Sequence, residues 1–142
     1  MRFVYPYSVS ADERGFFQVR FLDVPEALSE GESEAAAHGL AADALIAALG
    51  AMVRLKRRLP APSAARGRPT VTIPALQAAK LALHEAMLGR KISNVALARE
   101  LGKQESEIRR MLDLDHETRI GTLEQALGCL GMRVEVAVRE VV

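Results

Sequence analysis

The stretch Ile92–Leu112, ISNVALARELGKQESEIRRML, limits the fold more than any other part of the chain. Apolar residues recur at helical spacing on both sides of Gly102, the residue type that accepts the left-handed backbone of a tight helix exit. The pattern predicts two short helices crossing at a turn, a helix-turn-helix. Val95, Leu97, Ala98 and Leu101 are expected on the hidden side of the first helix, where the methyl of Ala98 permits close approach. Ile108 and Met111 or Leu112 are expected to anchor the second. Gln104, Glu105, Ser106, Arg109 and Arg110 remain as its outward polar set. These side chains match base-edge donors and acceptors. Arg109 leads because a guanidinium can bond guanine at two points, whereas Arg110 suits a phosphate or an internal ion pair. Asn94 can reach phosphate at the amino end of the first helix. Glu105 and Glu107 repel phosphate; either could accept from a cytosine amino group, and Glu107 is expected in solvent. A plain helical packing unit gives the same periodicity and stays open at this point.

On each side of this stretch the pattern remains helical. Leu76, Ala79, Leu83 and Met87 form a stripe that predicts a helix over 76–88 with its exit at Gly89. Thr122 and Gln125 form a capping-box pair before a helix carrying Leu123, Ala126, Leu127 and Leu130, stopped by Gly131. The chain then changes period: Val134, Val136 and Val138 alternate with Arg133, Glu135, Ala137 and Arg139. That is a strand pattern, and one strand attached to helices needs a partner. Pairing with the same strand of a second copy predicts a homodimer, with a tetramer also open.

The front of the chain has strand chemistry. RFVYPYSV (2–9) and FFQVRFL (16–22), joined by ADERG, predict a β-hairpin with Phe17, Val19 and Phe21 on one face and Gln18 and Arg20 on the other. Pro6 lacks a ladder donor and predicts an edge strand. DVPEALSEG offers a turn and a short third strand. Ser33 caps a helix expected over 34–58, whose stripe includes Ala37, Leu40, Ala41, Ala44, Leu45, Ala48, Leu49, Met52 and Val53. This helix covers one sheet face, and the other is left for a second subunit or a different protein. Three prolines, a glycine and scattered basic residues make 60–69 a linker, and TVTIP at 70–74 a short strand that returns to the first sheet or pairs across a dimer. The expected domains are therefore 1–59, a linker and short strand over 60–74, and 75–142.

Charge follows the same division. Residues 1–50 hold three Lys/Arg against eight Asp/Glu, 51–69 six against none, and 70–142 ten against ten. An acidic front and a basic middle imply different surfaces for different partners. Lys56, Arg57, Arg58, Arg66 and Arg68 fit either phosphate or solvent. The single Cys129 permits no intramolecular disulfide and is expected as a small apolar filler in a reducing cytoplasm. With no signal-like or charge-free apolar segment, a cytoplasmic protein with no membrane partner is expected.

Two resemblances extend this reading. Ile92, Asn94, Leu97, Ala98, Leu101, Gly102, Ser106, Ile108 and Arg110 resemble the phage-repressor-like (XRE/Cro) helix-turn-helix pattern, over about 75–131 with the flanking helices. Lys103 and Gln104 stand where that family carries a small apolar residue and a capping Ser or Thr, so a looser turn is expected. Gly15–Val19, Phe21–Pro25, Gly31-Glu32-Ser33 and Leu59–Ser63 resemble the HicB antitoxins, although Leu22 and Glu26 replace a frequent proline and a usual glycine. The combined resemblance implies an α+β protein, a partial RNase-H-like βββαβ domain followed by an all-helical helix-turn-helix domain with a C-terminal dimerisation strand. It also implies a type II antitoxin that binds and inhibits a HicA-like mRNA-cleaving toxin and represses its own operon at a palindromic double-stranded operator. Phe16, Phe17, Arg20, Asp23 and Glu26 become candidate toxin contacts, with Phe16 or Phe17 equally placed to be core.

An RNase-H-like domain raises the question of catalysis. Asp12, Glu13, Asp23, Glu30, Glu32, Glu34 and Asp43 could in principle hold Mg²⁺, but no spacing fixes three or four of them around one cavity. His38, His84 and His116 are widely separated and are read as exposed or locally bonded, and no nucleotide fingerprint occurs. No catalytic residue, metal or cofactor is expected. The alternatives are a standalone transcriptional regulator whose front domain binds a ligand or oligomerises, and an antitoxin for a different toxin family.

Overall fold

The computed structural model describes residues 1–141 as a mixed α+β chain, a four-stranded antiparallel sheet followed by helices. Its two compact units are Met1–Ile73 and Pro74–Val142.

In the first unit β1 (Val4–Ala11), β2 (Phe17–Phe21), β3 (Leu28–Gly31), α1 (Glu34–Arg54) and β4 (Thr70–Thr72) follow in the order βββαβ, and the strands lie side by side as β3-β2-β1-β4. The hairpin closes because Asp12 organises its own turn. Its Oδ1 accepts from the backbone N–H groups of Arg14 (2.9 Å) and Phe16 (3.0 Å), and Gly15 takes φ +84°. Tyr7 pairs with Phe21, Val9 with Val19 and Ala11 with Phe17, so these residues share the face covered by α1. The rings of Tyr7 and Phe21 lie 5.3 Å apart, and Ala37, Ala41, Leu45, Leu49, Met52 and Val53 of α1 complete the core. Gly31 lets α1 approach: a Cβ there would stand 2.5 Å from the Ala37 nitrogen.

Several expectations change here. Pro6 is not on an edge strand, since β1 lies between β2 and β4. Tyr7 N–H donates to Pro69 O, on the β4 side, so the donor missing from Pro6 falls on the β2 side, just beyond the ladder that begins at Tyr7↔Phe21. The α1 helix, capped by Ser33 as expected, stops at Arg54 rather than 58, where Lys56 turns to φ 54°. Leu40 is 40% exposed, outside the stripe assigned to it. The segment 60–69 has no regular structure but is fastened to the first unit. Tyr5 donates its hydroxyl to Pro60 O at 2.8 Å, and Asp23 accepts from both N–H and Oγ of Ser63. TVT then returns to the first sheet as β4, antiparallel to β1.

The second unit contains α2 (Ala75–Arg90), α3 (Asn94–Leu101), α4 (Glu105–Leu112) and α5 (Ile120–Cys129) around one aliphatic core of Leu83, Met87, Leu97, Ala98, Ile108, Met111, Leu123, Leu127 and neighbours. The α2 helix runs through Gly89, and Lys91 takes the left-handed exit at φ 54°. Ile92 N–H then donates to Met87 O, and its side chain packs on the core. Thr122 is not the cap of the last helix, which starts earlier, after Arg119. Gly131 does end that helix, at φ +74°. Val95 is 55% exposed rather than hidden, because it lies about 200° around the helix from Leu97. Cys129 is exposed for the same reason, two residues beyond the inward Leu127. Of the three histidines, His84 is buried. No described residue from 132 to 141 belongs to a strand, so the alternating segment does not pair within its own chain.

Candidate nucleic-acid interface and partner surface

In the second unit the turn between α3 and α4 is closed more tightly than its residues suggest. Ser93 caps α3 by accepting from Ala96 N–H at 3.1 Å. Gly102 adopts φ 65°, ψ 33°, and Lys103 N–H returns to Ala98 O at 2.8 Å, which satisfies carbonyls at the end of α3. Gln104 needs no Ser or Thr hydroxyl, because its N–H donates to Glu107 Oε2 at 2.7 Å. Glu107 is thus not a free solvated acid. Its carboxylate fixes the first turn of α4.

With Ile108 and Met111 buried, α4 leaves Ser106 half-buried and Arg109 and Arg110 exposed. Gln104, at the helix start, is also exposed, and Asn94 is half-buried in the first turn of α3. Arg109 Nε contacts Glu105 Oε2 at 3.0 Å, with side-chain exposures of 66% and 37%. At that exposure the pair contributes about 0.5 kcal/mol or less, so it orients the guanidinium without locking it.

A buried cation beneath α4 is not singled out by the helical periodicity. Lys80 of α2 is 0% exposed, and its ammonium donates to Arg110 O at 2.7 Å and Thr118 Oγ1 at 2.8 Å. A cation on the last turn of α4 meets the negative end of its dipole and a carbonyl, Arg110 O, whose other donor is the more distant Asp113 N–H at 3.3 Å. Burial lowers the Lys80 pKa, opposed by the nearby Asp113 carboxylate. Gln77 adds a bond from Nε2 to Leu114 O at 3.2 Å, so α2 holds the loop after α4 at two points. The signal was available: Lys80 sits at inward spacing between Leu76 and Leu83, a cation inside an apolar stripe.

The first unit presents the sheet face opposite α1. Among the described residues of this unit no second helix covers it. By register it carries Ser8, Ser10, Gln18, Arg20, Leu28 and Glu30. At one end Arg14 donates through Nη2 to Asp12 (2.8 Å) and Glu30 (2.7 Å), while Gln18 Nε2 donates to the same two carboxylates. These bonds hold Asp12 at a pKa of about 2, with the Arg14 bond foremost, and lower Glu30, with the Gln18 bond foremost. At the other end Leu28 and Leu22 are 61% and 58% exposed, beside Arg20.

Of the five sequence-predicted partner contacts, Arg20 and Glu26 are exposed, Glu26 lying 3.8 Å from Arg57. Phe16 is half-buried beneath the Arg14 guanidinium, 4.8 Å from its ring. Phe17 is half-buried on the α1 side, and Asp23 is engaged with Ser63. The five therefore do not share one surface. Among the described residues no group of three or more His, Cys, Asp or Glu is placed to hold a metal ion.

Comparison with known proteins gives consistent matches. Residues 4–82 match a family described as HicB_like antitoxin of bacterial toxin-antitoxin system. Antitoxin HicB 2 of Photorhabdus laumondii subsp. laumondii is 40% identical over 132 residues, 93% of this chain and 94% of its own length. Antitoxin HicB of Escherichia coli K12 is 33% identical over 133 residues, 93% of this chain and 96% of its own.

Proposed function

The chain belongs to the HicB-like antitoxin family, and from that membership we propose that it is the antitoxin of a type II pair: its first unit binds and blocks a HicA-like mRNA-cleaving toxin, and its second represses the operon encoding both. It acts without catalytic chemistry of its own, in the cytoplasm. The observation carrying the regulatory half is the α3–α4 pair. Two helices joined through a left-handed glycine, the second held by a buried lysine and presenting the half-buried Ser106 beside the exposed Arg109 and Arg110, support the reading of a helix-turn-helix with α4 as the helix entering the major groove. Arg109 is the base-reading candidate. Gln104, Glu105 and Ser106 flank it, and Arg110 and Asn94 serve phosphate.

The βββαβ order and the helix on one sheet face support comparison of the first unit with a partial RNase-H-like domain. Its uncovered face, with the Asp12 and Glu30 carboxylates at one end and Arg20, Leu22 and Leu28 at the other, suits a small basic RNA-cutting protein. Glu26 and Phe16 lie at the margins of that contact, while Phe17 and Asp23 act from beneath by supporting the sheet and its loop. A single such reading helix recognises few base pairs, so a homodimer joined through 133–140 on a palindromic operator completes the proposal.

Two measurements test it. The chain is expected to bind DNA from upstream of its own gene in fluorescence anisotropy, and to co-purify with the small basic protein of the adjacent reading frame. Failure of the second removes the antitoxin function, and failure of the first alone leaves a toxin binder without autoregulation.

A further inference from the structure

The segment Arg133–Val141 leaves the second unit without a partner strand. Val134 is part-buried against the helical core, whereas Val136, Val138 and Val141 are 75%, 92% and 93% exposed. Alternation puts Val134, Val136 and Val138 on one side and Arg133, Glu135, Ala137 and Arg139 on the other. The proposed function has this segment pair with a second copy, and the present inference rests on that reading while adding what selects the alignment.

Antiparallel pairing of identical strands over 133–141 allows few registers; centring on Val134 opposes Arg133 to Glu135 but overlaps only 133–135 before Gly131, whose φ of +74° ends α5. A two-fold axis between residues sets the valine side of one strand against the charged side of the other, and is excluded wherever one face is buried. Centring on Glu135 opposes that carboxylate to itself. Centring on Val136 opposes Arg133 to Arg139 twice. Centring on Val138 forms no ion pair. Centring on Ala137 alone opposes Glu135 to Arg139 of the other copy, twice by symmetry, with Val136 against Val138 on the opposite side and Val134 against Glu140 beyond them. The small Ala137 side chain meets its own copy at the axis. Val134 then continues from each helical core into a shared valine strip, and the ion pairs lie on the outer face.

We infer that in the proposed homodimer the two strands pair about Ala137, and that Glu135 and Arg139 set both this register and the recognition of like chains. The ordering follows from charge: opposite charges directly across a ladder attract and like charges repel, so reversing one member converts both pairs at once.

Sedimentation of the full chain and its charge variants tests this. Glu135→Arg and Arg139→Glu are each expected to weaken the dimer roughly tenfold, because two attractive pairs become repulsive. The double variant is expected to recover wild-type association. An equimolar mixture of the two single variants is expected to form a mixed dimer, since each then meets its opposite charge. Tighter association of Arg139→Glu would favour the Val136 register and overturn the assignment, as would silence of both reversals. A chain ending at Gly131 separates the two levels. If it is monomeric while the reversals are silent, strand pairing stands and the register falls. If it dimerises like wild type, or if wild type is monomeric, the strand-pairing reading itself fails.

Discussion

Replacing Lys80 by Met tests whether α4 is held by a buried cation. The substitution keeps the length and most of the apolar stem of the side chain but removes an ammonium bonded to Arg110 O at 2.7 Å and Thr118 Oγ1 at 2.8 Å. Bonds to a charged donor contribute about 1.5–3 kcal/mol each, a gross loss of roughly 3–6 kcal/mol. Opposing this, the methionine carries no charge to desolvate, which returns several kcal/mol. What remains is the cost of a helix-terminal carbonyl and a hydroxyl left short of a donor, about 2 kcal/mol net. For a unit of this size that is a fall of roughly 8–16 °C in melting temperature. Calorimetry on the full chain should find the loss in the transition of Pro74–Val142, and amide exchange should rise first in α4 and the loop to Thr118. A Thr118→Val cycle should be non-additive, since both changes break one bond. Equal or greater stability of Lys80→Met, or faster exchange confined to the sheet unit, would refute the assignment of Lys80 as the latch.

Other consequences follow from the geometry. Gly31→Ala forces a Cβ to 2.5 Å from the backbone nitrogen of Ala37, an overpacking cost of about 1–3 kcal/mol in denaturant unfolding. A neutral effect would mean that α1 does not sit this close to β3. Asp12, held near a pKa of about 2 against an ordinary 3.8, favours the folded hairpin above the ordinary value and loses that contribution as pH falls through the folded value. An NMR titration of its carboxyl should therefore have its midpoint near 2 and move towards 4 in Arg14→Ala; an unchanged midpoint would remove Arg14 as the main cause. Arg109→Ala should cost about 1–3 kcal/mol in operator affinity while leaving the melting temperature within a degree or two, because its bridge to Glu105 is exposed. Equal affinities across a salt series would strike it from the contacts.

The parts legible in the sequence were those governed by local periodicity. The alternation of Phe17, Val19 and Phe21, the Ser33 cap and the stripes of Leu83, Met87, Leu97 and Ile108 each reflect a residue's relation to its own element. What escaped depends on contacts distant in sequence. Pro6 suggested an edge because its missing donor is visible, whereas the ladder end that makes it harmless lies at Phe21. Glu107 looked like a solvated acid until the backbone of Gln104 was set against it. Thr122 offered capping-box chemistry, yet the helix had already begun at Ile120, so propensity yielded to packing. Lys80 was hidden by the habit of reading a lysine as surface, although its spacing placed it within the stripe.

The proposed antitoxin must disarm a ribonuclease. The direct measurement is cleavage of RNA by the adjacent small basic protein, titrated with the full chain and repeated with Arg109→Ala. Cleavage should fall to background near molar equivalence with either form, because the proposed toxin contact lies on the sheet unit and Arg109 belongs to the other. Cleavage that persists in excess of the wild-type chain would contradict the antitoxin function, and inhibition lost with Arg109→Ala would contradict the division of labour between the two units.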